Sequence, residues 1–139
     1  ARLPKGSLRH TQYEEEAFNG CPVLVLDTVG MLSRCYPYAS LAYVGGGMGT
    51  SGLHNILEPA AEGVPIVIGK NYDTFPEAKD LIALGGVVSV ATADACSKQL
   101  SILQENDALR SEKSNANSNY VRTNQGATAK TLSLLNQHL

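Results

Sequence analysis

A stretch rich in glycine is the part of this chain best suited to chemistry. Residues 45–52 hold five glycines in eight positions, and His54, Asn55 and Glu58 follow directly. Glycine accepts positive φ and lets the backbone approach a ligand closely, while the N–H groups at a helix start attract phosphate or carboxylate. We therefore predict an anion site at this loop and at the backbone amides of His54, Asn55 and Ile56.

The polar side chains after the glycine loop could face one cleft. His54 and Glu58 are four residues apart, so a helix over residues 54–62 places both on one face, with Asn55 beside them. Glu58 offers a carboxylate to two adjacent ribose hydroxyls. Such residues also serve as helix caps or surface groups, and the adjacent loop favours the ligand-binding interpretation. Further candidates for the same cleft follow the next strand: Asn71, Tyr72 and Phe75.

Alternating strands and helices position this loop. Short, β-branched apolar runs predict strands over residues 21–27, 41–44, 65–68 and 87–90, and helical spacing predicts helices over residues 29–36, 54–62 and 75–84. This alternation is typical of an α/β, Rossmann-like, three-layer domain with a parallel sheet. Ligands of such folds bind beyond the carboxyl ends of the strands. The glycine loop lies at one of these ends.

The last third of the chain is predicted to be a helical tail, over about residues 105–139, of a single domain spanning residues 1–139. Its polar segment, residues 111–119, is rich in Asn and Ser, which favours a loop or the solvated face of a helix. Residues 127–135 are predicted to be helical. No residue of this tail suggests a site.

Composition excludes several classes of protein. The net charge of -2 provides no basic field for nucleic acid, and the apolar runs are shorter than the roughly 18–20 residues that cross a bilayer. The cysteines Cys21, Cys35 and Cys96 are odd in number and widely spaced, which favours buried, free thiols in a reducing compartment. No DxD pair is present, so we expect no metal. The chain does not begin with Met, which suggests a segment of a longer protein.

A dinucleotide site is the main rival interpretation. Residues 47–52 match GxGxxG, and Asp73 follows about 20 residues later. However, the predicted helix starts only after the last glycine, and Asp73 lies beyond the end of the next strand, whereas the ribose-binding acid should lie nearer the strand tip. Residues 69–71 lack the upstream glycine and the Ser/Thr of a phosphate-binding P-loop.

The same residues resemble a known family. Residues 43–47, residues 52–60, the Gly63-Val64-Pro65 turn and Gly69 are similar to the signature of the 3-deoxy-D-manno-octulosonic acid (Kdo) transferases. The resemblance covers roughly residues 9–90, and it departs from the family at Lys70, where Pro is usual, and at Leu53, where many members have Gly. These enzymes transfer Kdo from CMP-Kdo to a lipid A precursor with inversion, using two Rossmann-like domains that face each other across a cleft.

The resemblance implies a role for each matching position. The glycine loop and the start of the His54-Asn55 helix would hold the charged part of CMP-Kdo, Glu58 would contact the nucleotide, and Thr28 and Gly30 would approach from a neighbouring loop. The full set of predicted donor-binding residues is Thr28, Gly30, Gly46, Gly47, Gly49, Ser51, Gly52, His54, Asn55, Glu58 and Asn71.

The resemblance also implies what this chain does not contain. In the family, the catalytic base, the acceptor site and the membrane anchor belong to an N-terminal domain at the cytoplasmic face of the bacterial inner membrane. We therefore expect a soluble C-terminal half of a GT-B glycosyltransferase that binds CMP-Kdo and transfers no sugar alone. The alternatives are a UDP-sugar enzyme of the same architecture, an NAD(P)-binding oxidoreductase domain and an α/β module without a ligand.

Overall fold

The structure is a computed structural model that describes residues 5–12, 22–50 and 52–137. The chain forms two compact units, residues 1–35 and residues 36–139.

The first unit contains a small parallel sheet. Strand β1, Ser7–Arg9, pairs with strand β2, Val23–Val25, and helix α1 spans Leu32–Cys35. After β2, the carboxylate of Asp27 accepts hydrogen bonds from the backbone N–H of Thr11 at 3.0 Å and from its hydroxyl at 2.7 Å. Arg9 lies 3.5 Å from the same carboxylate. These contacts, with the Thr11 hydroxyl foremost, lower the pKa of Asp27.

A three-stranded parallel sheet forms the centre of the second unit. Its strand order is β3, Ala42–Val44, then β4, Ile66–Gly69, then β5, Val87–Val90. Val44 lies opposite Ile68, and Gly69 lies opposite Val90. Every residue of the middle strand is buried, as its unbroken apolar run predicts.

Within residues 36–50 and 52–137, the second unit has five α-helices. A 3-10 turn over Tyr36–Tyr38 precedes β3. The helices are α2, Leu57–Ala61; α3, Pro76–Ala83; α4, Ala93–Glu105; α5, Asp107–Thr123; and α6, Ala127–Asn136.

Helices cover both faces of this sheet. On one face, Val44, Ile66 and Ile68 pack in one cluster with Ala60 of α2 and Leu81 of α3. On the other face, Val67 and Val90 pack with Leu103 of α4. Alternate residues of β4 point to opposite faces of the sheet, so each face has an apolar surface that helices cover. This arrangement is the predicted three-layer α/β fold.

The boundaries of most elements agree with the sequence prediction to within one or two residues. Strand β5 has the predicted bounds, and α3 differs from prediction by one residue at each end. The predicted helix over residues 29–36 is shorter, since only Leu32–Cys35 is α-helical.

The polar face of α5 is buried, which corrects the prediction of a solvated segment over residues 111–119. Asn117 is fully buried, and its side-chain amide donates to the carbonyls of Val64, at 2.7 Å, and Gly86, at 3.2 Å. Ser114 and Ser118 lie where a side chain on Gly63 would stand. Small polar residues therefore let α5 approach α2 and the end of α3 closely while satisfying buried carbonyls.

The remaining predictions concern cysteines and membranes. Cys35 and Cys96 are half-buried and unpaired, and Cys21 lies outside the described residues. No helix within residues 5–12, 22–50 and 52–137 is long and apolar enough to span a membrane.

Candidate functional site

The glycine loop, residues 45–52, connects β3 to the segment before α2. Two hydrogen bonds from Asn71 attach it to the segment after β4. The backbone N–H of Asn71 donates to the Gly47 carbonyl at 2.8 Å, and its side-chain amide donates to the Gly49 carbonyl at 2.8 Å. The structure thus places Asn71 at the predicted cleft and commits part of its polar surface to holding the loop.

Two glycines allow this attachment. A Cβ on Gly69 would stand 2.2 Å from the carbonyl carbon of Gly47, so the two backbones meet without room for a side chain on Gly69, and a Cβ on Gly47 would lie only 3.1 Å from the Gly69 Cα. At the base of the loop, Gly46 has φ of 92°, and a Cβ there would lie 1.9 Å from the Gly52 carbonyl oxygen. The loop therefore requires glycine at these positions for steric reasons, whatever it binds.

The start of α2 corrects one prediction. The helix begins at Leu57, three residues later than the predicted start at residue 54, and is only five residues long. The His54 backbone N–H donates to the Gly45 carbonyl at 3.1 Å, so it is not free to bind an anion as predicted. The local cause is a side-chain turn, in which the Asn55 Oδ1 accepts from the Leu57 N–H at 2.9 Å.

His54 contacts the glycine loop through its side chain as well as through its amide. The imidazole is exposed, and a Cβ on Gly46 would lie 3.2 Å from its Cδ2 atom. His54 and Glu58 do not share a helix face, since His54 precedes α2, and this corrects the predicted spacing argument.

Glu58 lies in the first turn of α2 and is exposed. Its Oε1 accepts a hydrogen bond from the side-chain amide of Asn55 at 2.9 Å. The Glu58 charge also affects Tyr36. The pKa of the Tyr36 phenol is raised, mainly by partial burial and to a smaller extent by the Glu58 carboxylate. Asn55 and Glu58 are therefore joined by a hydrogen bond at the start of α2, a pairing that the sequence analysis did not predict.

A cleft of about 350 Å³ opens between the glycine loop and the segment before α3. It is lined by Gly49, Thr50, Gly52, Asn71, Asp73, Thr74 and Phe75. This combination offers hydroxyls, one carboxylate and an aromatic ring to a polar ligand. Phe75 and Asn71 were candidates from the sequence, whereas Tyr72 packs against the core.

Sequence reasoning missed three residues of this cleft: Thr50, Asp73 and Thr74. Asp73 was considered only as the acid of a dinucleotide site. The available signal was that the segment after β4 must lie beside the segment after β3, because the carboxyl ends of paired parallel strands meet at one edge.

The other predicted site residues have different outcomes. Thr28 and Gly30 are exposed and belong to the first unit, whereas the glycine loop belongs to the second. Ser51 lies outside the described residues. In the parts of the chain that the structure describes, no group of three or more His, Cys, Asp or Glu residues could hold a metal ion.

Comparisons with known proteins place the chain in a family. No protein-family model matches it. It is 34% identical over 119 residues to the 3-deoxy-D-manno-octulosonic acid transferase of Haemophilus influenzae, an alignment that covers 84% of this chain and 28% of that protein. The enzyme of the same name from Bordetella pertussis also matches at 34% identity, with the same coverage. The chain thus spans about a quarter of the length of these relatives.

One solved structure extends the similarity to the fold. It is the crystal structure of the C-terminal CMP-Kdo binding domain of WaaA from Acinetobacter baumannii, with a TM-score of 0.67 and 27% sequence identity. The match covers 83% of this chain and 60% of that one. Sequence and fold together show that this chain belongs to the 3-deoxy-D-manno-octulosonic acid transferase family and corresponds to its C-terminal domain.

Proposed function

We propose that this chain is the donor-binding domain of an inverting glycosyltransferase that transfers Kdo from CMP-Kdo to a lipid A precursor in lipopolysaccharide biosynthesis. The observation that carries the proposal is the match, over 83% of the chain, to a domain described as binding CMP-Kdo. The glycine loop and the polar cleft beside it provide a site of suitable chemistry.

The proposed roles follow from the position of each residue. Glu58 accepts hydrogen bonds from the ribose hydroxyls of the nucleotide, and the His54 side chain borders the glycine loop where the charged part of the donor lies. Gly46, Gly47, Gly49 and Gly52 shape the loop, and Asn71 holds it. Thr28, Gly30 and Ser51 remain predicted donor contacts.

We infer that the polar cleft takes the sugar. Kdo carries hydroxyls and a carboxylate. The side chains of Thr50, Thr74 and Asn71 contain both hydrogen-bond donors and hydrogen-bond acceptors, and the Asp73 carboxylate is a further acceptor for hydroxyls. No metal ion is expected to take part, since nothing in the proposed site pairs carboxylates for one. CMP affinity measured with and without a chelator tests this expectation.

The rest of the enzyme is proposed to lie in the N-terminal part that the longer relatives contain. An inverting transfer needs a base to remove the acceptor proton and a site that stabilises the leaving phosphate. This chain is proposed to supply only the second, so we expect it to transfer no sugar alone. The acceptor lipid and association with the cytoplasmic face of the inner membrane belong to the N-terminal part. Kdo transfer by this chain alone, in a turnover assay with donor and lipid acceptor, would contradict this division.

A dinucleotide site fits the observed geometry less well. In that class the glycine loop opens directly into a helix that carries the pyrophosphate, whereas here α2 begins five residues after Gly52. Asp73 lines the cleft four residues beyond the end of β4. Neither position suits the pyrophosphate and ribose contacts of that class.

Titration of the chain with CMP, UMP, UDP and NADH by calorimetry tests the donor class. We expect CMP to bind best, although weakly, because the facing half of the cleft is absent. Glu58→Ala should weaken CMP binding about 10–100-fold, the equivalent of a net loss of one hydrogen bond to a charged group, about 1.5–3 kcal/mol. His54→Ala should also weaken it.

Glu62→Ala is the matched control, because Glu62 is an exposed glutamate just beyond α2 that lines a different cleft. It should leave CMP affinity unchanged. Preference for UDP or for NADH would move the chain to one of the two rival classes, and absence of CMP binding would count against the proposed function.

A further inference from the structure

The side chain of Asn55 makes two hydrogen bonds that join the start of α2 to Glu58. Its Oδ1 accepts from the Leu57 backbone N–H at 2.9 Å, and its Nδ2 donates to the Glu58 Oε1 at 2.9 Å. The oxygen of the Asn55 amide therefore stabilises the helix start, and its nitrogen holds the Glu58 carboxylate.

Glu58 needs such a partner because little else restrains it. It is exposed, it lies on a helix of five residues, and a free glutamate side chain samples several rotamers. Fixing a flexible side chain on ligand binding costs conformational entropy. Within the described residues, no hydrogen bond or ion pair engages the Glu58 Oε2, so the bond to Oε1 leaves that oxygen available to a ligand.

We propose that Asn55 is a positioning residue that orients the Glu58 carboxylate toward the two adjacent hydroxyls of a nucleotide ribose. The inference rests on the proposed function, in which Glu58 contacts the nucleotide, and it changes the role of Asn55 from a direct donor contact. Asn55 acts through Glu58, by fixing one carboxylate oxygen before the ligand arrives.

Asn55→Asp separates this role from helix stabilisation. Aspartate keeps an oxygen in place to accept from the Leu57 N–H, and a negative charge at a helix start is favourable. It cannot donate to Glu58 at neutral pH, and it places a second carboxylate against the first. The variant therefore keeps the helix start and loses the orientation of Glu58.

Asn106→Asp is the matched control. Asn106 caps α5, where its Oδ1 accepts from the Leu109 N–H at 2.9 Å, so the same substitution keeps a comparable hydrogen bond from a backbone N–H to a side-chain oxygen at the start of another helix. It should alter CMP affinity less than about twofold, because an exposed charge change at a distance is largely screened.

The experiment is a double-mutant cycle on CMP affinity with Asn55→Asp, Glu58→Ala and the combined variant. We expect Asn55→Asp to weaken CMP binding about tenfold, in line with the loss of a hydrogen bond to a charged group, with an unchanged urea midpoint. In the Glu58→Ala background the same substitution should have no further effect. A purely structural role for Asn55 would lower the urea midpoint and would weaken binding in both backgrounds.

Two results would overturn the inference and leave the proposed function standing. One is an equal loss of affinity from Asn55→Asp with and without Glu58, which means direct contact with the ligand. The other is an unchanged CMP affinity in Asn55→Asp although Glu58→Ala weakens CMP binding. Failure of the unaltered chain to bind CMP would instead refute the proposed function and this role with it.

Variants that keep Asn55 provide a second measurement if Asn55→Asp proves unstable. The side-chain amide resonances of Asn55 report its hydrogen bond, so they should shift in Glu58→Gln, where the acceptor loses its charge, and should stay in place in Glu62→Gln. Equal spectra in both variants would overturn the inference without any ligand.

Discussion

Gly69→Ala should displace the glycine loop by forcing two backbone segments apart. A Cβ at this position would stand 2.2 Å from the Gly47 carbonyl carbon and 2.3 Å from the Met48 nitrogen. Carbon atoms in contact prefer about 3.5–4.0 Å, so the loop or the end of β4 must move by more than about 1 Å. Both atoms belong to the backbone, and no side-chain rotation can relieve the overlap.

The cost of this substitution is about 1–3 kcal/mol, the usual range for adding a methyl group to a packed site. For a unit of about 100 residues, each kcal/mol lowers the melting temperature by about 4–8 °C. The shift should also stretch the hydrogen bonds from Asn71 to the Gly47 and Gly49 carbonyls, so CMP binding should fall together with stability.

Gly49→Ala is the control for stability alone, since no atom lies within 4 Å of a Cβ at that position and its φ is not positive; because Gly49 lines the cleft, CMP binding by Gly69→Ala is compared with that of the unaltered chain. Thermal unfolding and CMP calorimetry on both variants check the prediction. If Gly69→Ala melted like Gly49→Ala and bound CMP like the unaltered chain, the reasoning that the two backbones meet without room for a side chain on Gly69 would be refuted.

Three further predictions concern stability. Asn117→Ala should lower the free energy of unfolding by about 2–4 kcal/mol, because two buried carbonyls lose their donor and a cavity remains; Asn115→Ala, on the exposed side of α5, should cost nothing in the same urea titration. Thr11→Val removes the hydroxyl that most lowers the pKa of Asp27. A lowered carboxyl pKa stabilises the fold above about pH 4, and this contribution is lost as pH falls through the folded pKa. The variant should therefore lose less stability than the unaltered chain between pH 5 and pH 2. Equal stability profiles of the two chains in acid would contradict this prediction. Burial and a hydrogen bond to the Asp80 carboxylate raise the pKa of the Tyr120 phenol. This contribution to stability is present below about pH 10 and is lost above it, so the melting temperature of the unaltered chain should fall between pH 9 and pH 11. Tyr120→Phe should show a smaller fall over the same pH range.

Local sequence patterns were enough to predict most helices and strands. The β4 segment is a continuous apolar run that ends in glycine, and this pattern suits a strand buried on both faces. The α3 helix begins at Pro76, a residue favoured in the first helical turn, and ends before Gly85, whose φ is 83°. These signals act within a few residues, so the sequence shows them directly.

The start of α2 escaped prediction because two local signals compete there. Apolar spacing continues the helix back to His54, but Asn55 forms a side-chain turn with Leu57, and the His54 N–H bonds to Gly45. The second of these bonds joins positions nine residues apart, and no periodicity argument includes it.

The sequence alone determined the order of strands and helices, the glycine loop and the resemblance to a family, since each depends on residues that are close together in the chain. Tertiary structure decided which side chains are free to bind. It placed Asn117 in the core, set the backbone of Gly69 against that of Gly47, and committed Asn71 to the loop and Asn55 to Glu58. Most of these contacts join residues 22 or more positions apart, and Asn55 and Glu58 meet only because the chain turns between them, so composition and spacing could not reveal how these polar groups are used.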